Sequence, residues 1–229
     1  MGIGVVLGAA AIGYLFGAIP FGYTFVWWVA RRDVTRMGSG RTGGTNALRA
    51  GGPVAGVLTA VFDFLKGALA VLVARALTQG QAVQPWAEAL AGAAAVLGHN
   101  ASIFIGFKGG AGTGPNVGAA VALWPLSALL LVPLTPLLVI LTGYASVTSM
   151  TLALLILAVF VVRAAQGLAP WAYVWGYALI TTLLIYFALL PNIRRLLRGE
   201  ERMVGPRARA HLSSRSSALS GQGRREGSS

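Results

Sequence analysis

The stretch Gly38-Ser39-Gly40-Arg41-Thr42-Gly43-Gly44-Thr45-Asn46-Ala47-Leu48-Arg49 has the residue types of an anion cradle. Its four glycines leave the backbone free to turn several N–H groups into one concavity. Ser39, Thr42 and Thr45 add hydroxyl donors, and Arg41 and Arg49 add planar guanidinium forks that match phosphate. A second loop, Phe107-Lys108-Gly109-Gly110-Ala111-Gly112-Thr113-Gly114, repeats the pattern around a lysine. Two such loops, each beside an apolar run, suggest two phosphorylated substrates held at a membrane surface.

Three further features could carry chemistry. Asp63 and Lys66 lie three apart, on one face of a helix, inside an apolar stretch. A charge at mid-helix costs about 2.5 to 3.5 kcal/mol on insertion scales, so the two must pair or face polar loops near the interface. A structural ion pair and direct substrate contact are both open. His99, in Gly98-His99-Asn100, stands between an apolar helix and the second loop. There it would donate to phosphate or organise the loop. Ala145-Ser146-Val147-Thr148-Ser149 is a polar island whose hydroxyls would ordinarily bond back to the preceding turn. The chain has no cysteine, which excludes disulfides and thiolate zinc sites, and no metal or cofactor is expected.

The elements that must position these residues are membrane helices. Apolar residues make up 56% of the chain and charged residues 10%, and the mean hydropathy is +0.72, which places it in the integral-membrane class. Residues 1–30, 109–162 and 164–193 hold no charged side chain. A span needs about 20 apolar residues, so these runs alone supply four or more crossings. A first span over about Gly4–Ala30 carries Gly13, Gly17 and Gly22 for close helix approach and Pro20 as a kink. It is too long, and lacks the basic start, for a signal peptide. After the punctuation Gly51-Gly52-Pro53, a second span runs over about Val54–Leu77, residues 78–85 make an external turn, and a short Ala-rich third span covers Trp86–Gly98. Pro115, Pro125, Pro133 and Pro136 are expected to break the run 109–162 into short pieces making two or three crossings. The last span covers about Leu168–Leu190, and Pro191–Glu201 reads as a separate basic amphipathic helix at the inner interface.

The expected fold is therefore all-α, a polytopic membrane bundle of about seven, or else five, transmembrane helices with glycine-rich cytoplasmic loops. Residues 1–201 form its single domain and 202–229 a disordered basic tail. The net charge of +12 follows the spans: Arg31, Arg32, Arg36, Arg41 and Arg49 after the first, Arg194 onward after the last. That is the positive-inside pattern, placing Met1 outside and the tail and loops in the cytoplasm of a cell inner membrane. It also assigns the basic side chains to lipid headgroups rather than nucleic acid. A monomer is expected.

Taken together, the motifs resemble those of the bacterial acyl-phosphate-dependent glycerol-3-phosphate acyltransferases, over about residues 10–201. The family's G-S-G-N-x-G-A-T-N-x-x-R corresponds to Gly38–Arg49, its D-x-x-K-G to Asp63–Gly67, and its G-H-N-x-x-x-F-x-x-F-x-G-G-K-G-x-A-T to Gly98–Pro115. Its A-S-x-x-S corresponds to Ala145–Ser149 and its H-R-x-N-I-x-R-L-L-x-G-x-E to Leu189–Glu201. Arg41 stands for the family Asn, Gly44 for Ala, Ala111 for Lys, Gly114-Pro115 for Ala-Thr and Leu189-Leu190 for His-Arg. The resemblance implies transfer of a fatty acyl group from acyl phosphate to the 1-hydroxyl of glycerol 3-phosphate, giving lysophosphatidic acid and phosphate for phospholipid synthesis.

Carried onto this chain, the catalytic set is Ser39, Arg49, His99 and Lys108. The binding set is Gly40, Arg41, Gly43, Gly44, Thr45, Asn46, Asn100, Gly109, Gly110, Gly112, Ser146, Ser149 and Asn192. Backbone N–H groups of Gly40–Thr45, with Ser146 and Ser149, would hold the acyl phosphate. Ser39, Arg49, Lys108, His99 and Asn192 would hold glycerol 3-phosphate, with the acyl tail in a groove between spans. The departures allow a second reading: a homologue that binds glycerol phosphate or anionic lipid without turnover, or that partners another acyltransferase. An anion transporter would need helices broken at the bilayer midplane and an internal repeat, which the sequence lacks.

Overall fold

Among the described residues, proline and glycine punctuate eight α-helices. A computed structural model describes residues 2–205 and 208. Helix α1 (Gly2–Ala18) and α2 (Phe21–Ala30) are two halves of the first span, parted at Ile19-Pro20. Helix α3 (Gly44–Thr78) bends at Gly52, whose φ of 80° leaves the helical range just before Pro53. Then come α4 (Gln84–Asn100), α5 (Thr113–Leu123), α6 (Ala128–Thr142), α7 (Ala145–Ala165) and α8 (Leu179–Leu197), the last preceded by a π-helical turn over Tyr173–Ala178. Among the described residues there is no β-strand; one isolated bridge joins Ser102 and Lys108.

Among the described residues, five stretches are long and apolar enough to cross a membrane: Gly2–Ala30, Gly44–Thr78, Pro125–Thr142, Ala145–Ala165 and Tyr173–Leu197. Helices α4 and α5, of 17 and 11 residues, are shorter, at 1.5 Å per residue roughly 25 and 16 Å. They are also the most enclosed. Most of α5 is buried, and ten residues of α4 are, most of them alanines and glycines.

Small residues set these contacts, because two helices in lipid gain most from close backbone approach. Gly13 and Gly17 of α1 lie so near α4 that a Cβ on either would strike the carbonyls of Ala91 and Ala95. Gly67 of α3 and Gly118 of α5 make the same contact against Pro115 and Phe64. Replacing Gly17 by Leu should therefore push α1 off α4, lowering the thermal midpoint in detergent with a cost of at least about 1–3 kcal/mol from overpacking. Gly8→Leu, where nothing lies within 4 Å, should leave the midpoint in place.

Two helix expectations are corrected. Pro115 falls in the first turn of α5 and Pro125 opens a short 3₁₀ turn, both places that need no N–H donor. Pro133 and Pro136, however, lie inside α6 and do not divide it. Thr135 Oγ1 bonds Leu131 O at 2.7 Å there, and Leu131 alone of the α6 side chains is buried. The basic helix expected after Leu190 is not separate either: α8 runs through Pro191 to Leu197. Beyond it, Arg49 Nη2 donates to Met203 O at 3.1 Å and Val204 N to Gly143 O at 2.8 Å, so the chain is held against the bundle to Val204. The remainder of the tail expected to be disordered, beyond Gly205, lies outside the described residues apart from Ala208.

At the end of the bundle away from the glycine loops, buried Glu88 of α4 takes both forks of Arg75 at 3.0 Å, Gln84 Nε2 at 2.8 Å and Tyr173 OH at 2.7 Å. Arg75 also bonds Ala122 O at 2.8 Å. This network joins α3, α4, α5 and the π-helical turn, and the Glu88 carboxylate is fully matched by donors, as a buried charge requires.

Candidate active site

The first glycine loop is built on one amide. Asn46, 3% exposed, accepts the Ser39 N–H on Oδ1 at 3.0 Å and donates Nδ2 to the carbonyls of Val34, Met37 and Arg41 at 3.2, 3.0 and 2.8 Å. Gly38 and Gly40 take φ of 55° and 71°, the left-handed region that lets the loop fold around that amide. The second loop is closed by Phe107 N–H to Ser102 O at 2.7 Å and Ser102 N–H to Lys108 O at 3.0 Å. Gly110 N–H then bonds His99 O at 2.9 Å, returning the chain to the end of α4.

The loops meet. Thr42 N–H donates to Gly109 O at 3.2 Å, and Arg41 Nη1 donates to Gly110 O at 3.2 Å. The same guanidinium reaches α8, where Nη2 bonds Ala188 O and, at 3.0 Å, Asn192 Oδ1. One side chain thus spans three motifs far apart in sequence. Its burial, and after that the charge of Arg195, pull the Arg41 pKa below the usual guanidinium value, and Glu201 opposes the shift.

Beside this junction lies a cavity of about 780 Å³. Its polar end is walled by Ser39, Arg41, Thr45, Arg49, His99, Thr113, Ser146, Ser149, Asn192 and Arg195. Its other limb runs between α3 and α6 and is apolar, with Val57, Val61, Phe64 and Leu65 on one side and Val132, Pro136 and Val139 on the other. Behind the polar end sits a buried cluster. Lys66 Nζ lies 2.8 Å from Asp63 Oδ1 and 2.9 Å from His99 Nδ1, so the two intramembrane charges do pair.

Of the residues expected at the site, Ser39, Arg41, Gly43, Gly44, Thr45, Asn46, Arg49, His99, Gly112, Ser146, Ser149 and Asn192 line the cavity. Gly40, Asn100, Lys108, Gly109 and Gly110 do not. Gly109 and Gly110 have their carbonyls committed to the first loop, and Asn100 Nδ2 bonds Leu184 O at 3.3 Å. Lys108 is exposed, and its charge acts on Asp33. Asn46, though on the wall, spends its amide on the loop backbone, which makes it an organiser of the cradle.

Some lining residues lay outside the expected set. Thr113 Oγ1 and Ser149 Oγ are 2.6 Å apart, and Ser149 also bonds back to Ala145 O at 2.8 Å. Glu201 accepts from Ser146 Oγ at 3.0 Å, Asn192 Nδ2 at 2.7 Å and Arg195 Nε at 3.0 Å. Thr113 was within reach of a hydroxyl inventory of the second loop. Arg195 and Glu201 stand at the second R and the final E of the family's last motif, a signal that the expected set left unused because basic and acidic residues at a helix end usually face water.

The family model for glycerol-3-phosphate acyltransferase matches residues 7–199. The chain belongs to that family. A glycerol-3-phosphate acyltransferase of Thermus thermophilus is 39% identical over 202 residues, covering 87% of this chain and 95% of the relative. One from Anaeromyxobacter dehalogenans is 40% identical over 204 residues, covering 88% and 98%. Among solved structures, the glycerol 3-phosphate form of PlsY (YgiH), an integral membrane glycerol 3-phosphate acyltransferase, aligns with a TM-score of 0.74 at 31% identity, covering 87% of this chain and 96% of PlsY. Its lysophosphatidic acid form aligns with a TM-score of 0.71 at 31% identity, covering 87% of this chain and 95% of PlsY. This member of the glycerol-3-phosphate acyltransferase family is thus a multi-pass membrane protein. Of the positions where it departs from the family motifs, Arg41, Gly44, Ala111, Gly114 and Leu189 all face the cavity.

Proposed function

We propose that the protein transfers a fatty acyl group from acyl phosphate to the 1-hydroxyl of sn-glycerol 3-phosphate, releasing lysophosphatidic acid and inorganic phosphate. The observation that carries this reading is the shape and chemistry of one cavity: a donor-rich end for two phosphates, continuous with an apolar limb suited to an acyl chain. The acyl phosphate is already activated. The glycerol oxygen forms a bond to the carbonyl carbon, the bond from that carbon to the phosphate oxygen breaks, and the departing phosphate accepts the hydroxyl proton. The protein then has to align two anions and stabilise the charge growing on the carbonyl oxygen and leaving group. Arg49 lines the cavity with its Nη2 on Met203 O, which leaves donors for a phosphate, and the hydroxyls of Ser39 and Thr45 make no hydrogen bond among the described residues.

The transfer is placed at the cytoplasmic face, with the N-terminus outside. Support comes from the basic residues after the first and last spans, which gather at the end of the bundle where the two loops and α8 meet. A second reading, binding without turnover, is favoured by one observation: Ala111 and Leu189 put apolar groups on the cavity wall. Arg41 answers it by supplying a cation at the same junction.

Purified protein given palmitoyl phosphate and glycerol 3-phosphate should release phosphate in step with lysophosphatidic acid. Glycerol phosphate binding with no release favours the second reading. Arg49→Ala should lower kcat/KM by about 10²-fold or more, the usual loss when one transition-state anion donor is removed. Unchanged turnover would take Arg49 out of the site.

A further inference from the structure

The Asp63, Lys66 and His99 cluster is not used by the transfer as written, yet it is the most completely buried set of charges beside the cavity. The three residues are 3, 2 and 4% exposed. Lys66 Nζ has three neighbours: Asp63 Oδ1 at 2.8 Å, Ile19 O at 3.0 Å and His99 Nδ1 at 2.9 Å. Ile19 O is available because Pro20 interrupts the first span and breaks its hydrogen-bond ladder there. Ile19 O and His99 Nδ1 lie in hydrogen-bonding geometry, whereas Asp63 Oδ1 is an ion-pair contact with no hydrogen-bond partner among the described residues; an ammonium has three N–H donors and no acceptor. Nδ1 of His99 must then offer its lone pair.

A neutral imidazole that accepts on Nδ1 carries its proton on Nε2. Imidazolium would set Nδ1–H against an ammonium N–H. Asp63 Oδ1, 3.5 Å from Nδ1, is the carboxylate that could favour it, and its charge is matched by Lys66. The other charged group facing the ring, the Arg41 guanidinium of the first loop, opposes a second positive charge. Nε2 makes no hydrogen bond among the described residues, and the ring lines the cavity. Gly110 closes one side so tightly that a Cβ there would fall on Nε2.

We propose that Asp63 and Lys66 are positioning residues that lock His99 as a neutral imidazole, its Nε2–H a fixed donor to an anionic oxygen of bound substrate. The ring therefore takes no proton from the attacking hydroxyl. Only the identity of that oxygen rests on the acyl-transfer reading.

The chain has two histidines, so His211→Gln leaves His99 as a single reporter. In full-length protein labelled with ¹⁵N-histidine and held in micelles, the imidazole should show a proton on Nε2 and a bare Nδ1 throughout about pH 5–8, where a free histidine titrates. A proton on Nδ1, or imidazolium growing in as the pH falls, overturns the proposal. A kinetic measurement separates donor from base. His99→Gln keeps an N–H near the Nε2 position and should stay within about tenfold of the parent kcat with an unaltered pH profile, whereas loss of a general base costs about 10²–10⁴-fold. A Gln variant as slow as His99→Ala overturns the donor role. Should the parent protein release no phosphate at all, the transfer reading fails while the tautomer result stands on its own.

Discussion

Arg41→Ala is expected to lower kcat/KM for acyl transfer by about 10²–10³-fold, the largest loss from any single substitution in the cradle. The reason is where its donors go. One guanidinium bonds Gly110 O in the second loop and Ala188 O and Asn192 Oδ1 on α8, while its own backbone neighbour Thr42 bonds Gly109 O. Truncation leaves three acceptors without their charged donor, and such bonds are worth about 1.5–3 kcal/mol each. It also frees Asn192, whose Nδ2 holds Glu201 across the cavity wall. Arg41→Lys should recover little. An ammonium keeps the charge, but its N–H groups leave from one nitrogen and cannot span the acceptors that the guanidinium reaches from two, Nη1 toward the second loop and Nη2 toward α8. Phosphate-release kinetics on the two variants decide the matter. Recovery by Lys to near the parent rate would mean that charge alone, without the fork, sustains the site.

Lys66→Met is expected to have the largest effect on stability. It strands Asp63, 3% exposed, without a counter-charge, and breaking a buried pair costs about 3–5 kcal/mol. The protein should lose most of its folded yield in detergent. The double substitution Asp63→Leu with Lys66→Met removes both charges together, and replacing a buried pair by apolar residues of similar size is often neutral. The double variant should therefore recover the thermal midpoint of the parent protein but not its turnover, because Nδ1 of His99 has lost its donor. Full activity in a well-folded double variant would reduce the pair to a structural filler.

Turnover and folding thus depend on side chains whose partners are distant in sequence. From Arg41, Gly110 lies 69 positions away and Asn192 151. Hydropathy and residue type located the first span, the punctuation at Gly51-Gly52-Pro53 and the polar loops, since each is a local property: an apolar run, a missing N–H, a φ that favours glycine. They did not show that α3 starts at Gly44, inside the first loop and ahead of the start expected near Val54, so that the punctuation is a bend within one helix. The same local rules misjudged Pro133 and Pro136. A proline ends a helix where water can compete for the freed carbonyl, and in lipid the helix persists through it. Lys108 was expected at the site from its place beside Gly109, but it is exposed and does not line the cavity, on a loop where Gly106 and Phe107 take positive φ.

Composition and spacing were enough to determine a polytopic helical membrane protein and the two cradles from which a bisubstrate site could be made; the family came from the resemblance of its motifs. The tertiary structure decided which of those groups meet. It spent Asn46 on folding the first loop and the carbonyls of Gly109 and Gly110 on joining the two, turned Arg41 into the clasp, brought Glu201 and Arg195 to the wall, and set His99 against Lys66. The physical reason lies in the solvent. Lipid is as apolar as the helix faces, so hydropathy says that a segment is buried in the bilayer but not which neighbour it meets. That choice falls to steric fit: the four-residue spacing of Gly13 and Gly17 announces a close approach but not that α4 makes it, and no pattern pairs Gly67 of α3 with Gly118 of α5.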